Sequence, residues 1–490
     1  MKIKKHIPHL VIATILFLFV SCEDFLTEVP QSEYSVAGSY TTQKDFESGI
    51  AECYDVIQDL HRPFQSWFRV NQGRGDEYLN GSNFDGFKNF TVDETSKMAL
   101  FGWQSFFKII TYANTVLDNI ENGNFFDLKR KDHIKGEAYM MRAYAYYSLG
   151  WNFGGVPLYD KFYATEDILN IARSSQEETF AFAEKDYLKA ISLLPEAWDN
   201  SNRGRTTKFA AQAMLGRMYM FQKKEALAKP LFESVINSGK HGFADKYEDV
   251  FNDAFDNTKE RIWEAQFTGG QLGEGTGSIF TQLPLGVFDP EYAPVGGGTG
   301  AVRVSDTLYN RYQDGDLRRD LSILNNPRIF GLVDNISKFV VKFSKFTYKP
   351  KDNLDYANNL PIIRYTDVAL QYAEILNNEG YTANGKAFEI LNKVRERAGL
   401  TPLNSSTTPN QQAFTDALRQ ERKFEFAFEG IRWRDLLRWG IAQETMNFHF
   451  DTELITAGWS MEDHNKILPI PFETLSRYDN TSIMFQNPGY

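Results

Sequence analysis

Cysteine is nearly absent: two residues, Cys22 and Cys53, in a chain of 490. A disulfide framework and a cysteine-held metal cluster are both excluded. Histidine is almost as scarce, with His6, His9, His61, His133, His241, His449 and His464. No two of them frame a glutamate at the His-Glu-x-x-His spacing that holds catalytic zinc. No Gly-x-Ser-x-Gly nucleophile elbow occurs. The glycine-rich stretches TGGQLGEGTG at 268–277 and PEYAPVGGGTG at 290–300 lack the Lys-Ser/Thr ending of a phosphate loop and read as loops. Asp314 and Asp316 in QDGDLRRD fall short of a calcium loop. Excess basic charge is missing too, since the formal net charge is −11. Nucleic-acid binding, which needs Lys and Arg against phosphates, is a poor fit. A paired-carboxylate glycosidase would leave no local signature, but every motif-bearing chemistry is missing. The expectation is a protein that is not an enzyme and uses no cofactor and no metal.

What is plentiful is aromatic: 40 Phe, 24 Tyr and 8 Trp, 15% of the chain. Most such rings belong in a core, and some are available as a stacking surface. The N-terminus is equally distinctive. Met1–His9 is basic and Leu10–Val20 is an 11-residue apolar run. That run is shorter than the roughly 20 residues a bilayer span needs and fits a signal peptide over 1–21. Phe19-Val20-Ser21-Cys22 resembles a bacterial lipobox, with Phe19 where Leu is usual. Cys22 is then the lipid-bearing residue of the mature chain, the alternative being ordinary secretion. Removing 1–21 takes away Lys2, Lys4 and Lys5 and no acid, leaving 50 basic against 64 acidic residues. Residues 22–40 read as a tether.

Helical periodicity then dominates. Thr42–Leu60 carries Phe46, Ile50, Cys53, Ile57 and Leu60 on one face, with Thr42 and Asp45 as a capping box. Residues 61–95 are instead rich in Asn, Gly and Asp and interrupted by aromatics, the signature of a long functional loop. Ser96–Ile120 returns to a helical pattern. Tetratricopeptide traces follow: Ala183, Tyr187, Ala190 and Pro195, then Leu215-Gly216-x₂-Tyr219, then Ala228-x₃-Phe232. A looser helical pair spans Ile363–Asn377 and Lys386–Arg397. Between them, 240–360 breaks the helical pattern, and Arg261–Phe267 and Lys338–Phe346 alternate like strands.

The most informative stretch is Gln420–Gly440, QERKFEFAFEGIRWRDLLRWG. Placed on one helix, it shows two apolar faces: Phe424, Ala427, Phe428 and Ile431 on one, Phe426, Trp433 and Leu437 on the other. Glu425, Glu429 and Arg432 run between them. Charges sandwiched so must be paired, so the acids are expected in structural ion pairs. This stretch resembles the C-terminal signature helix of the SusD/RagB family. The chain carries further matches in order: Trp103 and Asn114; Glu137, Ala138, Arg142, Ala143 and Tyr146 through Gly154–Leu158; Gly204-Arg205 before Lys208; and the closing Ile467–Pro471 and Gln486–Tyr490.

The resemblance implies a mostly α fold, a tetratricopeptide-like helical scaffold with a loop-rich ligand-binding region and a few short strands. One such domain would span 41–490, with helical repeats over about 96–238 and 361–440 and irregular parts over about 61–95 and 240–360. It also implies a surface lipoprotein of the outer membrane, held by Cys22, that captures a nutrient and delivers it to a SusC-like TonB-dependent transporter. An oligosaccharide is the expected ligand. An aromatic face suits the C–H face of a sugar, and neighbouring Asn, Asp and Arg suit its hydroxyls. Trp67, Tyr78, Phe84 and Tyr292 are the candidate platforms, and Arg74, Asp76 and Asn80 the candidate polar contacts, drawn from loops 61–90 and 284–300. A peptide-binding importer subunit and a tetratricopeptide adaptor remain the alternatives.

Overall fold

The computed structural model describes residues 40–62, 67–80, 86–277, 283, 286–287, 293–296, 302–334, 336–344, 346–454 and 457–490. Cys22, Phe84 and Tyr292 lie outside them, as does the side chain of Asn80. The fold is mostly helical, with a few short strands.

Helix α1, Gln43–His61, begins at the capping box read from the sequence: the Asp45 carboxylate accepts the Thr42 backbone N–H at 2.7 Å. A short helix, α2 (Trp67–Gly73), leads into strand β1, Tyr78–Asn80. Then come α3 (Lys97–Asn119), α4 (Leu128–Phe153), α5 (Gln176–Leu193), α6 (Lys208–Phe221) and α7 (Glu225–Asn237), each packed on its neighbour in sequence. Small residues set the close approaches. A Cβ on Gly216 of α6 would stand 2.3 Å from the Phe232 ring of α7. That contact explains the spacing of the tetratricopeptide pattern. Family-like residues tie the hairpins together by ion pairs. Arg142 reaches Asp186 at 2.6 and 2.8 Å, and Glu137 receives Arg130 at 2.6 Å and Arg205 at 2.8 Å.

The irregular middle contributes β2 (Arg261–Ala265), β3 (Arg303–Val304), a short helix α8 (Asp306–Arg311), β4 (Ile323–Asn325), β5 (Arg328–Ile329), β6 (Leu332–Val333), β7 (Lys338–Val340) and β8 (Leu360–Arg364). Strands β2 and β8 pair antiparallel beneath the helices. Four strands form a separate small antiparallel sheet in the order β1-β3-β7-β4, and β5 and β6 form a hairpin. The helical array resumes with α9 (Tyr365–Glu379), α10 (Lys386–Arg397), α11 (Gln411–Glu425), α12 (Arg432–Trp439) and α13 (Ala442–Glu453).

Gln420–Gly440 is therefore not one helix. It breaks after Glu425, turns through Phe428 at φ +71° and Gly430 at φ +69°, and restarts at Arg432. Left-handed backbone at two positions cannot be part of a right-handed helix. The two apolar faces nonetheless separate largely as the periodicity indicates. Phe424, Ala427 and Phe428 pack into the core of the small sheet with Tyr78, Val304 and Val340. Phe426 and Trp433 enter the helical core, and Ile431 crosses over to join them. The turn is the seam between the two cores.

That seam is ionic. Glu425 meets Arg364 at 2.8 Å and Arg318 at 3.2 Å, with Arg397 beside it. Glu429 takes Arg364 at 2.8 Å and Lys342 at 2.7 Å. One turn earlier, Arg422 holds Asp367 and Asp435 at 2.7 and 2.9 Å, and Asp367 also pairs with Arg217 of α6 at 2.6 Å. The expected structural pairing of Glu425 and Glu429 is what the structure contains.

Candidate functional site

The small sheet joins the end of the 61–80 segment to the strand at Arg303–Val304. Tyr78 lies opposite Val304 and Asn80 opposite Arg303 in the β1–β3 ladder. At one end of that ladder Asn80 and Arg303 lie side by side. At the other end Glu77 accepts the Ser305 backbone N–H at 2.9 Å, and Asp76 faces a cleft. The Asn80–Arg303 end of the ladder forms a rim at which residues 78–80 and 303–304 meet by strand pairing, although more than 200 positions separate them.

The hairpin β5–β6 borders this rim. Val287 bridges to Ile329, and the Phe330 N–H donates to the Gly286 carbonyl at 2.9 Å. Beneath, Leu283, Val287 and Ala293 pack with Phe339, Val341 and Tyr356, which anchors the second loop from below. The hairpin tip is unusual. Phe330 and Gly331 both have positive φ, +49° and +81°, as a two-residue primed turn requires. Asn or Gly is the usual first residue there; a bulky ring costs on the order of 1–3 kcal/mol. The Phe330 ring is 72% exposed and lies over Gly286, where a Cβ would meet a ring carbon at 2.6 Å. Leu332 and Ile336 are exposed beside it. Arg303, in the ladder, has its Nε enclosed without a hydrogen-bond partner. Phe330 and Arg303 were not among the candidates read from the sequence; an aromatic residue preceding Gly331, between Ile329 and Leu332-Val333, was the available signal.

The glycine-rich loop 268–277 is held by Asp355. Its carboxylate accepts the Gly270 and Gln271 N–H groups at 2.6 and 2.7 Å, the Lys351 N–H at 3.0 Å and the Tyr348 hydroxyl at 2.6 Å. Burial alone would raise its pKa. The Tyr348 hydroxyl and these backbone donors overcome that and hold it at about 2. Its stabilising effect is therefore complete above the ordinary value near 3.8 and is lost as pH falls through about 2. Asp355→Asn is expected to speed amide exchange at Gly270 and Gln271 at neutral pH; unchanged exchange there would remove Asp355 as the anchor of this loop.

The residues singled out in the sequence are placed as follows. Trp67 is 5% exposed, stacked on Phe153 at 5.7 Å and edge-on to Phe106 at 5.5 Å. It lies over Gly102, where a Cβ would fall 2.0 Å from ring carbons. Tyr78 is buried against Phe428 at 5.4 Å. Arg74 is buried between Trp151 and Trp433 and donates to Asn152 at 2.5 Å and Asn71 at 2.9 Å. The expectation that these three face a ligand is corrected: each is buried against side chains from distant parts of the chain. Asp76 pairs with Arg432 at 2.7 Å and Lys423 at 2.8 Å. Burial opposes its charge, but the Arg432 and Lys423 cations hold it well below the usual carboxylate range. Asn80 sits at the rim in β1, with its side chain outside the described residues; Phe84 and Tyr292 lie wholly outside them.

The comparisons with known proteins agree with this architecture. The sequence model described as the SusD family matches residues 333–490. One described as "Starch-binding associating with outer membrane" matches residues 24–220. SusD-like protein P25 of Formosa agariphila is 25% identical over 505 residues, covering 94% of this chain and 95% of its own. A SusD-like protein of Bacteroides ovatus is 27% identical, covering 88% of this chain and 82% of its own. Among solved structures, a laminarin-binding SusD-like protein superposes with a TM-score of 0.78 at 25% identity, over 92% of this chain and 100% of that one. Surface glycan-binding protein A from Bacteroides thetaiotaomicron, in complex with laminarihexaose, shares the fold with a TM-score of 0.76 at 20% identity, over 91% of this chain and all of that one.

Proposed function

The chain belongs to the SusD/RagB family, and on that premise we propose that it captures an oligosaccharide at the cell surface without altering it. The observation that supports the reading is the displayed Phe330 ring, 72% exposed at the tip of the β5–β6 hairpin. A ring open to solvent presents an apolar face to a sugar. The laminarin-binding relative and the laminarihexaose complex support a glycan as the ligand class. Delivery to a SusC-like TonB-dependent transporter, and anchorage to the outer membrane through lipid on Cys22, complete the proposal. Capture for hand-over must be reversible, which calls for a micromolar to millimolar Kd, roughly −4 to −8 kcal/mol.

The test is isothermal titration of residues 23–490 against plant, host and microbial oligosaccharides and a peptide mixture. The described fold starts at residue 40, so this form retains all of it. Heat with one glycan class is expected. Phe330→Ala is expected to weaken that binding about tenfold or more, the cost of truncating an aromatic anchor. Its melting temperature should be unchanged, because the ring is exposed. Heat with peptides alone would replace the glycan reading with the peptide one.

A further inference from the structure

At the opposite end of the β1–β3 ladder lies a second concave site, a cleft of about 620 Å³ between α8, α11, α12 and α13. Its charge balance is unusual for so acidic a chain. Asp76 is one carboxylate shared by two cations, Lys423 and Arg432. Arg311 and Arg419 also line the cleft, and neither has an ion pair among the described residues. The Arg419 guanidinium lies over the Trp439 ring at 5.1 Å, and its Nε is enclosed with no hydrogen-bond partner among the described residues. The acids do not balance these cations. Glu453 is engaged by the Ser305 hydroxyl at 2.6 Å and by His449 at 3.4 Å, and Glu444 is exposed with no ion pair among the described residues. Lys423 titrates below its ordinary value, first because it is buried and further because Arg432 and Arg311 repel its charge, a strain that only Asp76 offsets. Phe448, 53% exposed, adds a flat apolar face to the same cleft.

We infer that this cleft binds an acidic sugar, with Arg311 and Arg419 taking its carboxylate or sulfate and Phe448 lying against the ring. Guanidinium groups engage carboxylate and sulfate oxygens through two parallel N–H donors. The site is independent of the rim that carries Phe330. The test titrates residues 23–490 with glucuronate, glucose 6-sulfate, glucose and inorganic sulfate. At least one acidic sugar is expected to bind about tenfold or more tighter than glucose, as a charge-assisted contact implies. The carboxylate and sulfate arms identify which anion is preferred. Both substituted arginines are at least partly exposed, so Arg311→Gln/Arg419→Gln should fold normally and lose that preference. Phe330→Ala should retain it, which separates this site from capture at the rim. No preference over glucose, an unchanged preference in the double variant, or equal binding of inorganic sulfate would overturn the inference.

Discussion

Glu425→Ala is expected to destabilise the protein by about 3–5 kcal/mol, the usual cost of stranding the partners of a buried ion pair. The side chain is fully enclosed and faces Arg364, Arg318 and Arg397. Removing it leaves three guanidinium groups with Asp316, Glu260, Glu421 and Glu429 as their remaining nearby acids. The position also lies at the seam where α11 ends, so the loss should loosen the small sheet against the helices. Acid should mimic the variant in part. Burial favours the neutral acid, but Arg397, Arg364 and Arg318 hold the Glu425 carboxyl far below its ordinary value. A depressed folded-state pKa stabilises above the unfolded value, near 4.3, and that contribution declines as pH is lowered beneath it. Wild-type protein should therefore lose stability below about pH 4 more steeply than Glu425→Ala does. Denaturant unfolding at pH 7 and pH 3 checks both statements. A loss under about 1 kcal/mol at pH 7, the range of surface pairs, would contradict the buried lattice.

Trp67→Ala is expected to cost about 3–5 kcal/mol, as for other large-to-small changes in a core. The indole fills the space over Gly102 between Phe106 and Phe153. Glycan affinity of the folded fraction should be unchanged. Lost affinity at full stability would restore Trp67 as a ligand platform and contradict its placement in the core. Together the two variants probe the same architecture from its ionic and its apolar sides.

The helical repeats were legible because their information is local. Ala183, Tyr187 and Ala190, or Ala228 and Phe232, lie one turn apart, and the face they form is the face they bury. The cap at Thr42 was legible for the same reason. Trp67 was misread because its partners are Gly102, Phe106 and Phe153, and no pattern within 61–95 announces them. Arg74 looked available for a ligand, yet Trp151 and Trp433 enclose it from two distant helices. In Gln420–Gly440 the apolar periodicity continues across a break that only Gly430 hints at. Phe428 adopts a left-handed backbone that its residue type disfavours, sustained by packing against Tyr78. The two-strand ladder between Tyr78–Asn80 and Arg303–Val304 was not legible, because it is non-local pairing with too few residues to show alternation.

Capture at the rim is the central claim, and amide hydrogen exchange with and without bound oligosaccharide tests it most directly. Saturating ligand should protect amides in 78–90, 286–296 and 328–333 together, because one molecule would span the rim that the ladder creates. Protection confined to the helical repeats over 96–238, with those three segments unchanged, would contradict the account.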